Sequence, residues 1–123
     1  MNKEQKPAVW VGHISLETDQ LEASTKFMQK IGIRLLGQQG RYAVMELRGG
    51  THLILIGKDE ITPQLAPFDL MVEDLEASHQ QFTNLGLQPS SIEKGRIHSS
   101  FIIKEPAGNT IKINSNHVSR FPV

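Results

Sequence analysis

An internal repeat constrains the fold of this chain more than any other feature. The segment Leu-Glu-Ala-Ser at residues 21–24 begins again 54 residues later, at residues 75–78. At the same offset Gly32 aligns with Gly86, and both glycines have apolar flanks. Because the copies share a helix-like face and a glycine after it, we interpret them as a duplication. Two copies of about 55–60 residues are too few and too long for a solenoid. They predict one pseudo-symmetric domain with a cleft between its halves.

Composition narrows the possible functions. The 123 residues fit one domain, and 13 basic against 13 acidic residues give no basic surface that would indicate a nucleic-acid partner. The absence of cysteine excludes disulfides, thiol catalysis and thiolate metal sites. The polar N-terminus has no signal-peptide core, and the longest apolar run, residues 53–56, is too short to cross a membrane. We therefore expect a soluble, cytoplasmic protein without nucleic-acid or membrane partners.

Each half of the sequence follows the order β-α-β-β-β. In the first half, strands are predicted at residues 8–16, 33–36, 42–47 and 51–56. A helix is predicted to be capped by Asp19 and to stop at Gly32, which tolerates a left-handed backbone. Residues 37–40 are predicted to form a turn and residues 48–50 a hairpin loop.

The second half repeats this order after a linker at about residues 58–67. A helix is predicted to be capped by Asp74 and to stop at Gly86. Strands are predicted at residues 68–72, 96–104 and 110–114, with residues 89–93 irregular or a short strand. These boundaries define a single α+β domain over residues 8–123, with modules at about 8–57 and 68–115 and a loosely held tail at 116–123.

Residues at both ends of this plan resemble the vicinal oxygen chelate superfamily, which includes glyoxalase I, bleomycin-resistance proteins, fosfomycin-resistance enzymes and extradiol dioxygenases. The opening strand at residues 13–16 and its helix ending Ile-Gly-Ile at 31–33 are similar to the family's first strand and helix. Residues 101–109 resemble its closing strand-turn-strand, with Glu105 and Ala107 at two positions that usually hold aspartate. The resemblance implies two βαβββ modules in a pseudo-twofold arrangement, forming a cleft in a curved mixed sheet (the glyoxalase/bleomycin resistance fold).

The resemblance also implies four metal-ligand positions, two in each half. They fall on His13, on Ile54 (Leu55 if the register slips by one), on Pro67 and on Lys112. Only His13 is a usual ligand, whereas isoleucine and proline have no side-chain donor and an ammonium repels a cation. We therefore predict no metal and no other cofactor. A divalent ion held by another route, through His13, His52, Glu46 and His98, is the alternative.

Strand alternation sorts the polar side chains by face. If Ile111 and Ile113 face a helix, Lys112 faces the concave side of the sheet, where it meets an anionic or carbonyl-bearing ligand or pairs with Glu46. The same reasoning predicts a shared ligand-binding concavity, whose residues are His13, Tyr42, Glu46, His52, His98, Ser100 and Lys112. Trp10 is predicted to be either an aromatic wall or, more simply, part of the core. His79 and His117 are predicted to be solvated.

The resulting functional hypothesis is a protein that binds a small organic molecule without the family metal site. Bleomycin-resistance proteins are the family example, and they imply a homodimer because their ligand cleft is shared by two subunits. The alternative is a metal-dependent lyase, isomerase or dioxygenase. An interaction module without a small ligand is a third possibility. The sequence leaves open whether any reaction is catalysed and which ligand is bound.

Overall fold

A computed structural model describes all 123 residues of the chain. The first module contains β1 (His13–Thr18), α1 (Leu21–Lys30), β2 (Arg34–Gln39), β3 (Tyr42–Glu46) and β4 (His52–Gly57). The second contains β5 (Leu65–Val72), α2 (Leu75–Asn84), β6 (Glu93–Lys94), β7 (Ser99–Lys104) and β8 (Thr110–Ser115). The predicted α+β class and the two β-α-β-β-β modules are confirmed. Neither helix is long and apolar enough to cross a bilayer.

The two modules have the same sheet topology. The first sheet has the strand order β1-β4-β3-β2 and the second the order β5-β8-β7-β6. In each sheet the first and last strands of the module pair in parallel, and the remaining pairs are antiparallel. The edge strands β1 and β5 contact each other, so the modules meet along these strands. The duplication seen in the sequence is therefore a duplication of topology.

The repeated Leu-Glu-Ala-Ser segment begins both helices, but the two helices are capped differently. Asp74 accepts a hydrogen bond from the backbone N–H of Ala77 at 3.0 Å, which confirms the predicted cap. In α1 the N-cap residue is Gln20, whose side chain makes no capping bond. The prediction that Asp19 caps this helix is wrong, because α1 begins at Leu21 and Asp19 lies one residue outside the cap position.

Both helices end as predicted at glycines with a left-handed backbone. The φ angle is 105° at Gly32 and 78° at Gly86. A residue with a side chain is strained in this region, whereas glycine is not. The two glycines therefore turn the chain from each helix into the following segment in the same way.

Several predicted strand boundaries are wrong for reasons of pairing. Strand β1 begins at residue 13 rather than 8 because its ladder partner β4 begins only at His52. Strand β7 begins at residue 99 because residues 95–98 form a turn, closed by a bond from the Gly95 N–H to the His98 carbonyl. Strand β2 continues past Gly37 with a register shift, and β5 starts within the predicted linker by pairing Leu65 with Thr110.

Alternate strand residues form the core beneath the helices. On β7 and β8 these are Phe101, Ile103, Ile111 and Ile113, each at most 1% exposed. The Phe82 ring of α2 packs edge-on against Phe101, with 5.9 Å between ring centroids. The predicted register is therefore confirmed, and Lys112 lies on the opposite side of the sheet. We call the side of each sheet that faces away from its helix the open face.

A buried hydrogen-bond network joins the two modules. The Ser24 hydroxyl on α1 donates to Glu105 Oε1 at 2.6 Å, across 81 positions of sequence, and lies 2.7 Å from the Thr18 hydroxyl. Glu105 Oε2 accepts the backbone N–H of Asn109 at 2.9 Å, and the Asn109 amide donates to the Glu17 carbonyl at 2.9 Å. The turn between β7 and β8 is thus attached to the first module, and the Glu105 carboxylate satisfies buried donors from both modules.

Candidate functional site

A row of polar side chains crosses the open face of the first sheet. His13 on β1 lies opposite His52 on β4, which lies opposite Glu46 on β3, which lies opposite Arg34 on β2. Arg34 Nη1 is 3.0 Å from Glu46 Oε1, and His52 Nε2 is 3.7 Å from Glu46 Oε2. The His13 and His52 rings meet edge to face, with 5.8 Å between centroids. Within this first-module row, Arg34 and Glu46 are therefore bonded to each other, and the two histidine rings contact each other.

The donor set that the resemblance implies for a metal ion does not fit the residues present. Ile54 lies two residues after His52 on β4, opposite Ser15 of β1. Lys112 presents an ammonium group on the other sheet. Nowhere in the chain does a group of three or more His, Cys, Asp or Glu side chains converge in a geometry that could hold a metal ion. His13 shares its row with His52 and Glu46. The His13 ring contacts the His52 ring, and His52 lies beside Glu46, so the three side chains do not converge on one point.

A cavity of about 300 Å³ opens on the second module and contains three of the predicted ligand-binding residues, His98, Ser100 and Lys112. We call it the second-module cavity. Its remaining lining residues belong to the end of the second sheet and the adjoining turn, and they are Glu93, Lys94, Gly95, Arg96 and Ile97. On the open face Lys112 lies between Ile102 and Asp69 of the neighbouring strands. Glu46, proposed as an ion-pair partner of Lys112, is bonded to Arg34 instead.

The only two buried side-chain polar atoms without a hydrogen-bond partner in the protein are His98 Nδ1 and Asn114 Oδ1. His98 lines the second-module cavity. Asn114 pairs with Ser100 in the β7–β8 ladder, so both side chains lie on the open face, and Asn114 is only 1% exposed. A buried polar atom without a partner is destabilising by about 1–3 kcal/mol. Of the two residues, only His98 lies on the cavity lining, and its Nδ1 atom is itself covered.

His79 and Trp10 differ from their predictions, whereas His117 is exposed as predicted. His79 is not simply solvated, because its Nε2 is 2.8 Å from the Ser90 carbonyl and its ring packs on Phe101 at 5.1 Å. His117 in the tail stacks on His98, with 5.1 Å between ring centroids. Trp10 is 73% exposed, since the segment before β1 has no ladder partner, and it is therefore not a core residue.

A larger apolar groove of about 1030 Å³ lies between the modules. Helix-side residues such as Ile14, Phe68 and Phe82 line it. At its rim Arg48 Nη1 lies 2.7 Å from Glu73 Oε2, and Asn116 donates to Glu73 Oε1. The hydrogen bond from Arg48 and the charge of Arg48 lower the pKa of the Glu73 carboxyl below its ordinary value, while the hydrogen bond to Glu73 and the charge of Glu73 raise the pKa of Arg48. The polar groups at this rim are therefore bonded to one another.

The predicted ligand-binding residues form two groups. His98, Ser100 and Lys112 surround the second-module cavity, while His13, Glu46 and His52 belong to the first-module row. Tyr42 shares the β3 open face with Glu46 and is 53% exposed. No member of the row lines the second-module cavity.

The sequence reasoning missed Glu93, Lys94 and Arg96 as cavity residues. It placed Glu93 at the end of an irregular segment or short strand and Arg96 in a strand, with Lys94 between them, whereas Glu93 and Lys94 form β6 and Arg96 lies in the turn that closes at His98. The glycine at position 95, flanked by two basic residues, is the signal that indicates an exposed basic turn.

Comparison with known proteins gives a clear result for the fold. No protein-family model matches the sequence, and no curated protein does. Solved structures match over most of the chain. The lactoylglutathione lyase from Agrobacterium tumefaciens is 17% identical, with 94% of this chain and 100% of that chain covered and a TM-score of 0.77.

Two further structures carry the superfamily name. A member of the glyoxalase/bleomycin resistance protein/dioxygenase superfamily from Sphaerobacter thermophilus is 16% identical, with 88% and 98% of the chains covered and a TM-score of 0.71. A glyoxalase/bleomycin resistance protein/dioxygenase from Alicyclobacillus acidocaldarius is 15% identical, with 94% and 98% covered and a TM-score of 0.67. The chain therefore has the glyoxalase/bleomycin resistance/dioxygenase fold, as the resemblance implied. At these identities the likeness extends to the fold alone.

Proposed function

We propose that this protein of the glyoxalase/bleomycin resistance/dioxygenase fold binds a small organic molecule on its open face, centred on the second-module cavity. The observation that carries the proposal is the position of the two unpartnered buried atoms, His98 Nδ1 and Asn114 Oδ1, at this face and nowhere else. Small-molecule sites place a few convergent polar groups in a concave surface. A ligand that displaces the groups covering these two atoms would supply the hydrogen bonds that they lack.

The first-module row and the inter-module groove are weaker candidates for the ligand site, because polar groups on them are already bonded within the protein. In the first-module row, Glu46 already accepts from Arg34 and lies beside His52, so a ligand would have to replace bonds within the protein. At the inter-module groove, Arg48 and Asn116 both donate to Glu73. Replacing a satisfied hydrogen bond yields little net affinity, whereas satisfying an orphaned group yields more. The second-module cavity is therefore the favoured primary site.

Each group at the cavity has a distinct role in this proposal. The Ser100 hydroxyl makes no hydrogen bond within the protein, and it can donate to or accept from a ligand. The Lys112 ammonium supplies a charge-assisted donor. His13, Tyr42, Glu46 and His52 lie on the open face of the other sheet, where they form the second wall for a ligand too large for the cavity. No bond-making step is assigned to any of them.

The proposal can be tested by a fragment screen on the full-length ¹⁵N-labelled protein, followed by amide chemical shifts. We expect hits to shift the amides of residues 95–102 and 110–115 in a saturable manner. His98→Phe preserves a ring beside His117 but removes Nδ1. It should weaken hit binding by about tenfold, which corresponds to about 1.4 kcal/mol for one lost hydrogen bond.

His79→Phe is the matched control, because His79 packs under α2 against Phe101 rather than at the cavity. It should leave hit affinity unchanged even if it lowers stability through loss of the bond to Ser90. Hits that shift only the inter-module groove, or that bind His98→Phe as tightly as the native protein, would contradict the proposal.

A further inference from the structure

The second-module cavity has an excess of positive charge. Its lining includes Lys94, Arg96 and Lys112 against a single carboxylate, Glu93. None of the three cations takes part in any ion pair of the protein. Lys112 is half-buried on the open face, where the loss of solvent makes an unpaired ammonium unfavourable. Glu93 is the one carboxylate on the cavity lining, and it forms no ion pair with Lys112.

Arg96 is the only arginine of the chain without a partner. Arg34, Arg41 and Arg48 each bond a carboxylate, and the Arg120 guanidinium lies 5.6 Å from the centre of the Phe121 ring. Arg96 instead lies in the turn at residues 95–98, beside the cavity mouth. Guanidinium groups bind carboxylate and phosphate in a bidentate manner, so this position is suited to an anionic group.

From these charges we infer that the second-module cavity is an anion subsite, whose ligand is a small organic acid carrying a carboxylate, phosphate or sulfate group. The inference rests on the proposed function and adds the chemical class of its ligand. The acid group lies between Lys112 on the sheet and Arg96 on the turn, with Lys94 contributing longer-range attraction. Ser100 and His98 lie on the same lining and contact the polar atoms next to that group.

Two carboxylates lie near the cavity, and neither forms an ion pair with the cavity cations. Asp69 lies opposite Lys112 in the β5–β8 ladder but forms no ion pair with it. Glu93 lies opposite Ser100, at the far side of the cavity from Asp69. An anion near Lys112 therefore replaces no existing ion pair. A dication would have only these two separated carboxylates, with three cations nearby to repel it.

The test uses inorganic phosphate as the probe, with sodium chloride at matched ionic strength as the reference. In ¹H–¹⁵N spectra of the full-length protein at pH 7, phosphate should cause saturable shifts at residues 95–100 and 110–114, and chloride should not. Lys112→Met and Arg96→Met should each raise the apparent Kd by about five- to tenfold, the usual effect of losing a charge-assisted contact.

Lys104→Met is the matched control for the loss of one positive charge. Lys104 shares the β7 open face with Ser100 and Ile102 but is exposed and outside the cavity. Arg96→Met changes an exposed turn and does not threaten folding, so it keeps the test decisive if Lys112→Met is unstable. Equal phosphate binding in all three variants, or no saturable shift beyond that of chloride, overturns the anion assignment.

The failures of the two proposals are distinguishable. If neutral fragments bind at these amides in a His98-dependent manner while phosphate does not, the anion class is wrong and the ligand-binding function stands. If neither phosphate nor any fragment shifts the cavity amides, both proposals are wrong.

Discussion

The two modules share one topology, but the polar groups on their open faces differ in how they are partnered. In the first module, Arg34, Glu46, His52 and His13 form a continuous row across four strands, in which the one acid, Glu46, is bonded to Arg34 and lies beside His52. In the second, Lys94, Arg96 and Lys112 have no ion-pair partners, and His98 Nδ1 and Asn114 Oδ1 have no hydrogen bonds. Both modules therefore build the same sheet, while only the second contains buried polar atoms without partners.

The repeated helices differ in a related way. Ser24 and Ser78 occupy the same position of the repeat, yet Ser24 is fully buried and bonded to Glu105, whereas Ser78 is half-buried at the inter-module groove without a side-chain bond. Identical residues at equivalent positions thus have different energetic roles, because the neighbouring module is placed against one of them and not against the other.

The largest expected effect is a difference in the free energy of unfolding between alanine variants at these two serines. Ser24→Ala should lower the free energy of unfolding by about 2–3 kcal/mol, because it leaves the buried Glu105 carboxylate without one of its donors. Ser78→Ala should change it by less than about 0.5 kcal/mol. Urea denaturation of both variants measures the difference. Equal effects at the two positions would show that the network does not hold the modules together.

The two helix caps provide a second comparison. Asp74→Ala should destabilise the protein by about 1 kcal/mol, because the backbone N–H of Ala77 loses its acceptor. Gln20→Asp should stabilise it by up to about 1 kcal/mol, since it gives α1 the cap that α2 already has. Thermal and urea unfolding of both variants test the pair. A neutral Asp74→Ala variant would mean that this cap contributes nothing in the folded protein.

The smallest expected effect is at the exposed Arg48–Glu73 link between the modules. The hydrogen bond from Arg48 keeps the folded-state pKa of Glu73 below its ordinary value of 4.5. The stability contributed by the pair is therefore present above pH 4.5 and is lost as the pH falls through the lowered pKa. Arg48→Met should raise the pKa of Glu73 toward 4.5, as measured by an NMR titration of its side-chain carboxyl. An unchanged titration would contradict the assigned cause.

Local patterns were sufficient for most of the fold. The Leu-Glu-Ala-Ser repeat and the glycines at 32 and 86 correctly located both helices and their ends, because helix faces and left-handed stops depend on short-range sequence. Alternation of Ile111, Lys112 and Ile113 correctly separated the core from the open face. The strand starts at residues 8 and 96 were wrong, since they depend on where the pairing partner begins and on a turn that interrupts the strand.

The candidate site was predicted only in part, for the same physical reason. Alternation assigns a side chain to a face, and it correctly selected His98, Ser100 and Lys112 as neighbours. It does not specify which charges meet, so it could not show that Glu46 bonds Arg34 rather than Lys112. It also could not place the turn carrying Arg96 beside the cavity, because the path of a turn is set by the chain around it.

The sequence by itself therefore determined two β-α-β-β-β modules and the residues that face their cores, because these follow from short-range periodicity and from the repeat. Only the tertiary structure decided which polar groups are satisfied. Ser24 meets Glu105 across 81 residues, and three cations line one cavity with a single carboxylate. Electrostatic and hydrogen-bond energies depend on distances between atoms remote in sequence, which exist only once the two sheets are placed against each other.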